Sequence, residues 1–324
     1  MEFVYYFFHY YWPVFFMSCS SLFLIMFFLI HNFTTPLLKP LRFFLYPANA
    51  VMMISITMAF VIQSRTVGNK QSTALLCDGP CKYIGPNFCL HCYHLWRAFG
   101  ITACVINLHT MYYRTMCLVH LDSKKAHRWT LLYSVHYIFP FSSQILMLTA
   151  PSNHAAVHNE TLILHPEYDY TPYLDFGGFD PTEVVYQARN WMFTIATFYS
   201  PVIGSYWKHQ AMKMLKVHMS PQTSPASRVM LRTLMKGLNF QILLPMISYV
   251  PQQLAYLYKQ VSGQEFPYSQ YAGTFLGTLP CLLDPMVQIY FITPYQNAVR
   301  RFLECKTLPR GSPSYSWASR VVTS

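Results

Sequence analysis

The residues best suited to chemistry crowd into one short stretch. Cys77-x3-Cys81 is followed by Cys89-x2-Cys92, with His91 and His94 interleaved, a donor set of the kind zinc takes. The spacing argues against a metal site, because Cys89 and Cys92 fall where a helical run begins and the Cys77 pair would have to fold back across very little chain. Neither a metal nor a cofactor is therefore expected. Cys77 and Cys81 are instead the candidates for a disulfide, provided they face an oxidising compartment. Catalytic signatures are missing: there is no HExxH, no GxSxG and no glycine-rich phosphate loop. The sequence points away from an enzyme.

Only 35 of the 324 residues are Lys, Arg, Asp or Glu, and 53% are hydrophobic. A soluble chain needs roughly a quarter of its residues charged, which excludes a cytosolic globular protein. The elements that must position the chemistry are long uncharged runs, and about 20 apolar helical residues cross a bilayer. Seven spans are expected, near 11–31, 43–63, 88–113, 129–149, 190–207, 237–258 and 271–294, followed by a short amphipathic segment at 295–305. The fold class is an all-α bundle of seven transmembrane helices over residues 1–306, with a disordered tail at 307–324. Prolines occur in every span but the third, which suits a straight central helix among weakened neighbours. The first run carries only Glu2 at its start and greatly exceeds a signal-peptide core, so it reads as a retained helix.

Two charges remain inside the spans, Arg97 and Asp284, and intramembrane charge usually marks function. Arg97 lies 17 residues before Arg114, hence about 25 Å away along one helix. Two readings of Arg97 stand side by side. It contacts a ligand together with its neighbours Tyr93 and His94, or it is structural, snorkelling to the outer interface or pairing with a loop acid.

Basic residues fix the orientation, since Lys and Arg are retained on the cytoplasmic side of short loops. With the N-terminus outside, the inner segments hold 17 Lys and Arg against two acids, and the outer segments five against nine. The net +11 then resolves into a basic cytoplasmic face and a mildly acidic outer one. Such a face suits anionic lipid and a cytosolic protein partner, not nucleic acid. Asn159-Glu160-Thr161 becomes an outward glycosylation sequon, whereas Asn32-Phe33-Thr34 lies inside. The long outer loop at 151–189, with His154, His158 and His165 among acids and tyrosines, is expected to be solvated and partly mobile, the second reading being a lid over an extracellular pocket.

Several of these residues form recognisable motifs. Cys77-Asp78-Gly79-Pro80-Cys81-Lys82-Tyr83-Ile84-Gly85-Pro86, with Cys89 beyond, resembles the signature heading the third helix of nematode serpentine chemoreceptors of class delta. Tyr112-Tyr113-Arg114 resembles the tripeptide those receptors carry where rhodopsin-like receptors have Asp-Arg-Tyr, and Asp284-Pro285 with Tyr290 and Thr293-Pro294-Tyr295 is similar to their seventh-helix ending. The resemblance covers nearly the whole chain. It implies a G-protein-coupled chemosensory receptor in the plasma membrane, in the ciliary membrane of chemosensory neurons, that binds an extracellular odorant or pheromone-like molecule and engages a heterotrimeric G protein. Tyr113, Arg114, Asp284, Pro285 and Tyr290 are then the residues of coupling and activation. Cys305 beside the basic residues past the last helix is a palmitoylation candidate.

The sequence departs from the rhodopsin-like pattern in two places. No cysteine lies between Cys117 and Cys281, so no bridge can join the third helix to the long outer loop, and no carboxylate adjoins Arg114. The alternative is a seven-helix ligand-gated channel or small-molecule carrier. A carrier would place polar groups along several spans, whereas these hold few beyond Arg97, Asp284, His94, His109 and His136.

Overall fold

Backbone removed from water must satisfy its own N–H and C=O groups, and a helix does so within one segment. The computed structural model describes residues 2–35, 39, 41–119, 123–218, 225–262 and 269–304. The uncharged runs fold as α1 (Glu2–Phe33), α2 (Arg42–Ile62), α3 (Pro86–Val119), α4 (Ser123–Tyr133), α5 (Ile138–Leu148), α7 (Val184–His218), α8 (Pro225–Ser262) and α9 (Ser269–Phe291). Between α5 and α7 lies the short α6 (His154–Leu164). The fourth pass is α4 and α5 joined through a 3-10 segment, Ser134–Tyr137. That tightening sits just ahead of Pro140, which has no N–H to continue the helical ladder.

α3 is the pillar of the bundle, packing on α2, α4, α5, α7 and α8, while α1, α2 and α9 close the ring on one side and α7, α8 and α9 on the other. Its single proline, Pro86, is its first residue, where the missing N–H costs nothing. The burial pattern runs polar inward and apolar outward. Asn49, Asn107, Gln241, Asp284 and Gln288 are all buried, whereas Leu131, Val202 and Ile247 are 68%, 67% and 65% exposed around the rim. Only hydrocarbon solvates such a surface well. Beyond α9 the chain turns through 93° into α10 (Thr293–Leu303). This short helix buries Tyr295 and Ala298 and exposes Arg300 and Arg301, the division an interfacial helix needs. Its Tyr295 hydroxyl lies 2.9 Å from Thr34 Oγ1, at the end of α1.

At the opposite end of the bundle the chain builds a lid. β1 (Ser64–Gly68) and β2 (Thr73–Cys77) form an antiparallel hairpin, and β3 (Gly177–Phe179) from the long loop pairs with β2, opposing Thr73 to Phe179. The loop is therefore folded and not the solvated, partly mobile segment expected. It carries a small core of its own: Val67, Ala74 and Leu76 of the hairpin bury against Val157, Tyr173 and Phe176. α6 docks on the hairpin turn, where Glu160 accepts from Gln71 N and Ser72 Oγ and Asn69 Nδ2 donates to Thr161 Oγ1 at 2.8 Å. Apolar residues too sparse to show a period in sequence acquire a core once the two segments meet. Gly178 is required there because a Cβ would enter the Thr73 carbonyl across the ladder.

The lid is fixed to the bundle at several points. Arg65 Nε donates to Gln270 Oε1 of α9 at 2.8 Å, with its guanidinium over the Tyr168 ring at 4.4 Å. Asp78 is held by the Tyr5 hydroxyl at 3.2 Å, His9 Nδ1 at 2.7 Å and Lys82 Nζ at 2.9 Å. His154 bridges loop and pillar: its Nδ1 accepts from Gly178 N at 3.2 Å, which leaves Nε2–H to donate to Asn87 Oδ1 of α3 at 2.7 Å. The seat requires a neutral imidazole. Burial, with His91 nearby, holds the His154 pKa below the ordinary 6.5, and Asp175 opposes that shift only in part.

The cysteine pairing differs from the one expected. Cys81 is bonded to Cys89, not to Cys77. The reason is local. Cys77 is locked at the end of β2 opposite Ser64, whereas the 3-10 turn Pro80–Tyr83 and Gly85 at φ +130° swing Cys81 back over the first turn of α3, with Cα atoms 5.2 Å apart. Cys77 remains a buried thiol beside the bridge, and burial pushes its pKa up. Two of the three sulfurs a metal would need here are already joined.

Two outcomes follow. Non-reducing peptide mapping should recover Cys81 linked to Cys89; the Cys77→Ala variant should keep that link, while Cys89→Ala should lose about 2.5 kcal/mol of stability for a loop this short. Because the folded state depresses the His154 pKa, the stability this residue supports is present above about pH 6.5 and is lost as pH falls through the lower folded value. The hydrogen-exchange protection factor of the Gly178 amide should drop between pH 7.5 and 5.5. In His154→Gln, whose amide can make both hydrogen bonds without titrating, the drop should vanish.

Candidate functional site

Beneath the lid, α3, α7, α8 and α9 leave a cavity of about 90 Å³. Thr66, Thr73 and Phe179 of the three strands form its roof; Tyr93 and Arg97 enter from α3, Tyr186, Arg189 and Asn190 from α7, Gln252 and Gln253 from α8, and Gly273 and Thr274 from α9. Two arginines thus border one small space. Each lies over an aromatic face, which offsets part of the cost of desolvating a guanidinium. Arg97 lies 4.3 Å from the centre of the Phe193 ring, and its Nη1 donates to the Tyr93 hydroxyl at 3.3 Å. Arg189 sits 5.3 Å from Phe179 and 5.4 Å from Tyr186 and donates to Met147 Sδ and to His94 Nδ1. His94 accepts at Nδ1 and is therefore the neutral tautomer with its proton on Nε2.

Of the three residues expected at a ligand, Tyr93 and Arg97 reach the cavity. His94 lies behind its wall and positions Arg189. Among the described residues Arg97 has no carboxylate within ion-pair distance, so the loop-acid pairing does not occur there. Sequence reasoning missed Arg189, which counts as a loop cation when the fifth span is begun at residue 190. The helix starts at Val184 and carries Arg189 into the bundle, 4% exposed. The pair Gln252-Gln253, directly after Pro251 in an otherwise apolar span, is the sequence signal for this wall of the cavity.

Midway down the bundle Asp284 is solvated by amides. Its Oδ1 accepts from Gln241 Nε2 at 2.7 Å and its Oδ2 from Gln288 Nε2 at 2.8 Å, and Asn49 Nδ2 donates to Gln288 Oε1 at 3.0 Å. One carboxylate so ties α2, α8 and α9 together, and the weaker contact of Asn107 Nδ2 with the Gln241 carbonyl at 3.5 Å adds α3. Charge-assisted hydrogen bonds of this kind are roughly twice as strong as neutral ones and compensate a buried charge.

At the end opposite the lid, Arg114 borders a small cleft with Gln241, Gln288 and Phe291. The two glutamines that hold Asp284 therefore also face Arg114. Tyr112 stacks on Tyr133 at 4.2 Å and meets Trp207 edge-on at 4.9 Å, and Tyr113 packs on Phe44 at 5.0 Å. Pro285 follows Asp284 in the buried face of α9, whereas Tyr290 is 64% exposed on its outer face, away from the cleft. Cys305 and the tail 307–324 lie outside the described residues. Asn159 is exposed on α6 of the lid.

Comparison with known proteins agrees with this architecture along the chain. Residues 8–301 match the family described as serpentine type 7TM GPCR chemoreceptor Srd. Serpentine receptor class delta-63 of Caenorhabditis elegans is 53% identical over 295 residues, covering 90% of this chain and 91% of that relative. Class delta-51 and class delta-59 receptors of the same organism are each 28% identical, covering 94% and 90% of this chain and 88% and 90% of their own lengths. The family is one of receptors and not of enzymes, and its members are multi-pass membrane proteins. A helical bundle with a lidded cavity at one end and an arginine-bordered cleft at the other, matched over residues 8–301, belongs to the Srd family of serpentine seven-transmembrane G-protein-coupled chemoreceptors.

Proposed function

We propose that this receptor sits in the plasma membrane of chemosensory cells, in their cilia, with lid and N-terminus outside, binds a small extracellular molecule in the cavity beneath the lid, and activates a heterotrimeric G protein at the Arg114 end. The observation that carries the reading is the shared use of α8. Gln252 and Gln253 line the cavity, and Gln241 of the same helix both holds Asp284 and borders the Arg114 cleft. Between them lie Pro245 and Pro251, each of which removes a backbone hydrogen bond and lets the helix bend.

A ligand that binds more tightly when α8 is displaced shifts the population toward that state. The displacement draws Gln241 from Asp284 and opens the cleft beside Arg114. Charge supports the orientation, since the Arg114 end gathers most of the Lys and Arg and faces anionic lipid and a G protein. The same distribution disfavours a channel with its N-terminus inside.

Cells expressing the receptor and a G-protein reporter should be screened under voltage clamp against a broad panel of small volatile and water-soluble compounds. An active compound should raise the G-protein signal without ionic current, and Arg114→Ala at equal surface level should lose roughly tenfold or more of that response, within the span of ordinary allosteric couplings. Current without a G-protein signal, or full signalling by the variant, would discard the reading. Orientation is checked separately. Glycosidase treatment should shift the receptor's mobility, Asn159→Gln should abolish the shift and Asn32→Gln should leave it; sugar on Asn32 would place the lid inside.

A further inference from the structure

We propose that the cavity under the lid takes a small organic carboxylate, with Arg97 meeting its charge. The inference rests on the cavity being the ligand site and adds the class of ligand. Arg97 presents five N–H donors. Within the described residues its only hydrogen bond is the long one to the Tyr93 phenol, and its Nε is buried with no acceptor. A guanidinium left in this state within a bundle is costly unless an anion completes it.

The surroundings have the same polarity. Arg189 supplies a second positive charge to the same space, and Gln253, 3% exposed, holds an amide Nε2 with no acceptor. No Asp or Glu borders the cavity among the described residues. A cationic amine would meet two like charges, and a neutral ester would bring acceptors but no charge. A carboxylate supplies both, and its two oxygens match the guanidinium fork.

Size narrows the class. A space of about 90 Å³ under a roof already built admits few atoms beyond the carboxylate. The apolar part of the lining, Phe179 with Ala255 and Ala272, suits a short hydrocarbon tail. Phosphate esters, larger and more highly charged, fit less well.

The test uses the full-length receptor in nanodiscs at pH 7.5, with the thermal unfolding midpoint as the binding readout. Acetate, butyrate, hexanoate and benzoate are compared with their methyl esters and with the matched primary amines. At least one acid should raise the midpoint in a dose-dependent way while its ester and amine do not. Arg97→Gln should weaken that acid by roughly thirtyfold or more, the scale of removing one partner of a buried charge pair, and Arg97→Lys should restore part of the affinity.

Failure of all four acids to stabilise, equal stabilisation by an ester, or undiminished acid binding to a folded Arg97→Gln receptor would overturn the inference. The reporter assay keeps the two readings apart. Acid binding without a G-protein response counts against signalling and leaves the carboxylate standing. A G-protein response driven by esters or amines, with no acid bound, does the reverse.

Discussion

The Arg189 guanidinium is buried where lid meets bundle, and the geometry of the cavity depends on how it is solvated. Water is excluded, so protein must replace it: a ring nitrogen from α3, a thioether from α5, and ring faces from β3 and from its own helix. Three other pieces of chain, α3, α5 and β3, are thereby held to a charge carried by α7. Losing any of them would weaken the solvation of a cation in a low-dielectric site, where each polar partner matters more than it would in water. The charge thus specifies where the lid sits as much as the β-pairing does, and it places Tyr93, on the same turn as His94, against the cavity.

Below that point the bundle uses a second buried charge differently. Asp284 has no cation partner among the described residues and is held entirely by amides. Amides solvate an anion by dipoles that can turn away, so the contact can be broken without leaving an opposite charge unpaired. A buried ion pair would resist separation far more strongly. The arrangement at Arg189 therefore suits permanence, and that at Asp284 suits exchange, within one framework built on α3.

The bundle was legible in the sequence because a bilayer imposes a coarse rule, and runs free of Lys, Arg, Asp and Glu report it directly. Helix ends were less legible. α7 and α8 continue past the uncharged runs, because a helix has no reason to stop where hydrocarbon does and long basic side chains extend to the interface. That extension is why the uncharged runs alone leave Arg189 in a loop. The strands and core of the lid were unreadable for another reason. Its strands are three to five residues long, and its core forms only when segments about a hundred residues apart meet, so no local period betrays it. The cysteine pairing failed similarly, since sequence spacing does not reveal that one residue is pinned in a strand while its neighbour is turned back over a helix.

The Cys81–Cys89 bridge and the strand pairing above it bear on binding kinetics. They make roof and pillar a single rigid piece before any ligand arrives, so the conformational entropy of the long loop is already lost at folding and is not charged to each binding event. A receptor built this way loses little affinity to loop ordering, even for a ligand with few atoms. For a ligand bound there as proposed, residence time would follow how often α8 and α9 part and not the opening of a flap, which would link sensitivity and recovery through the stiffness of two proline-bearing helices.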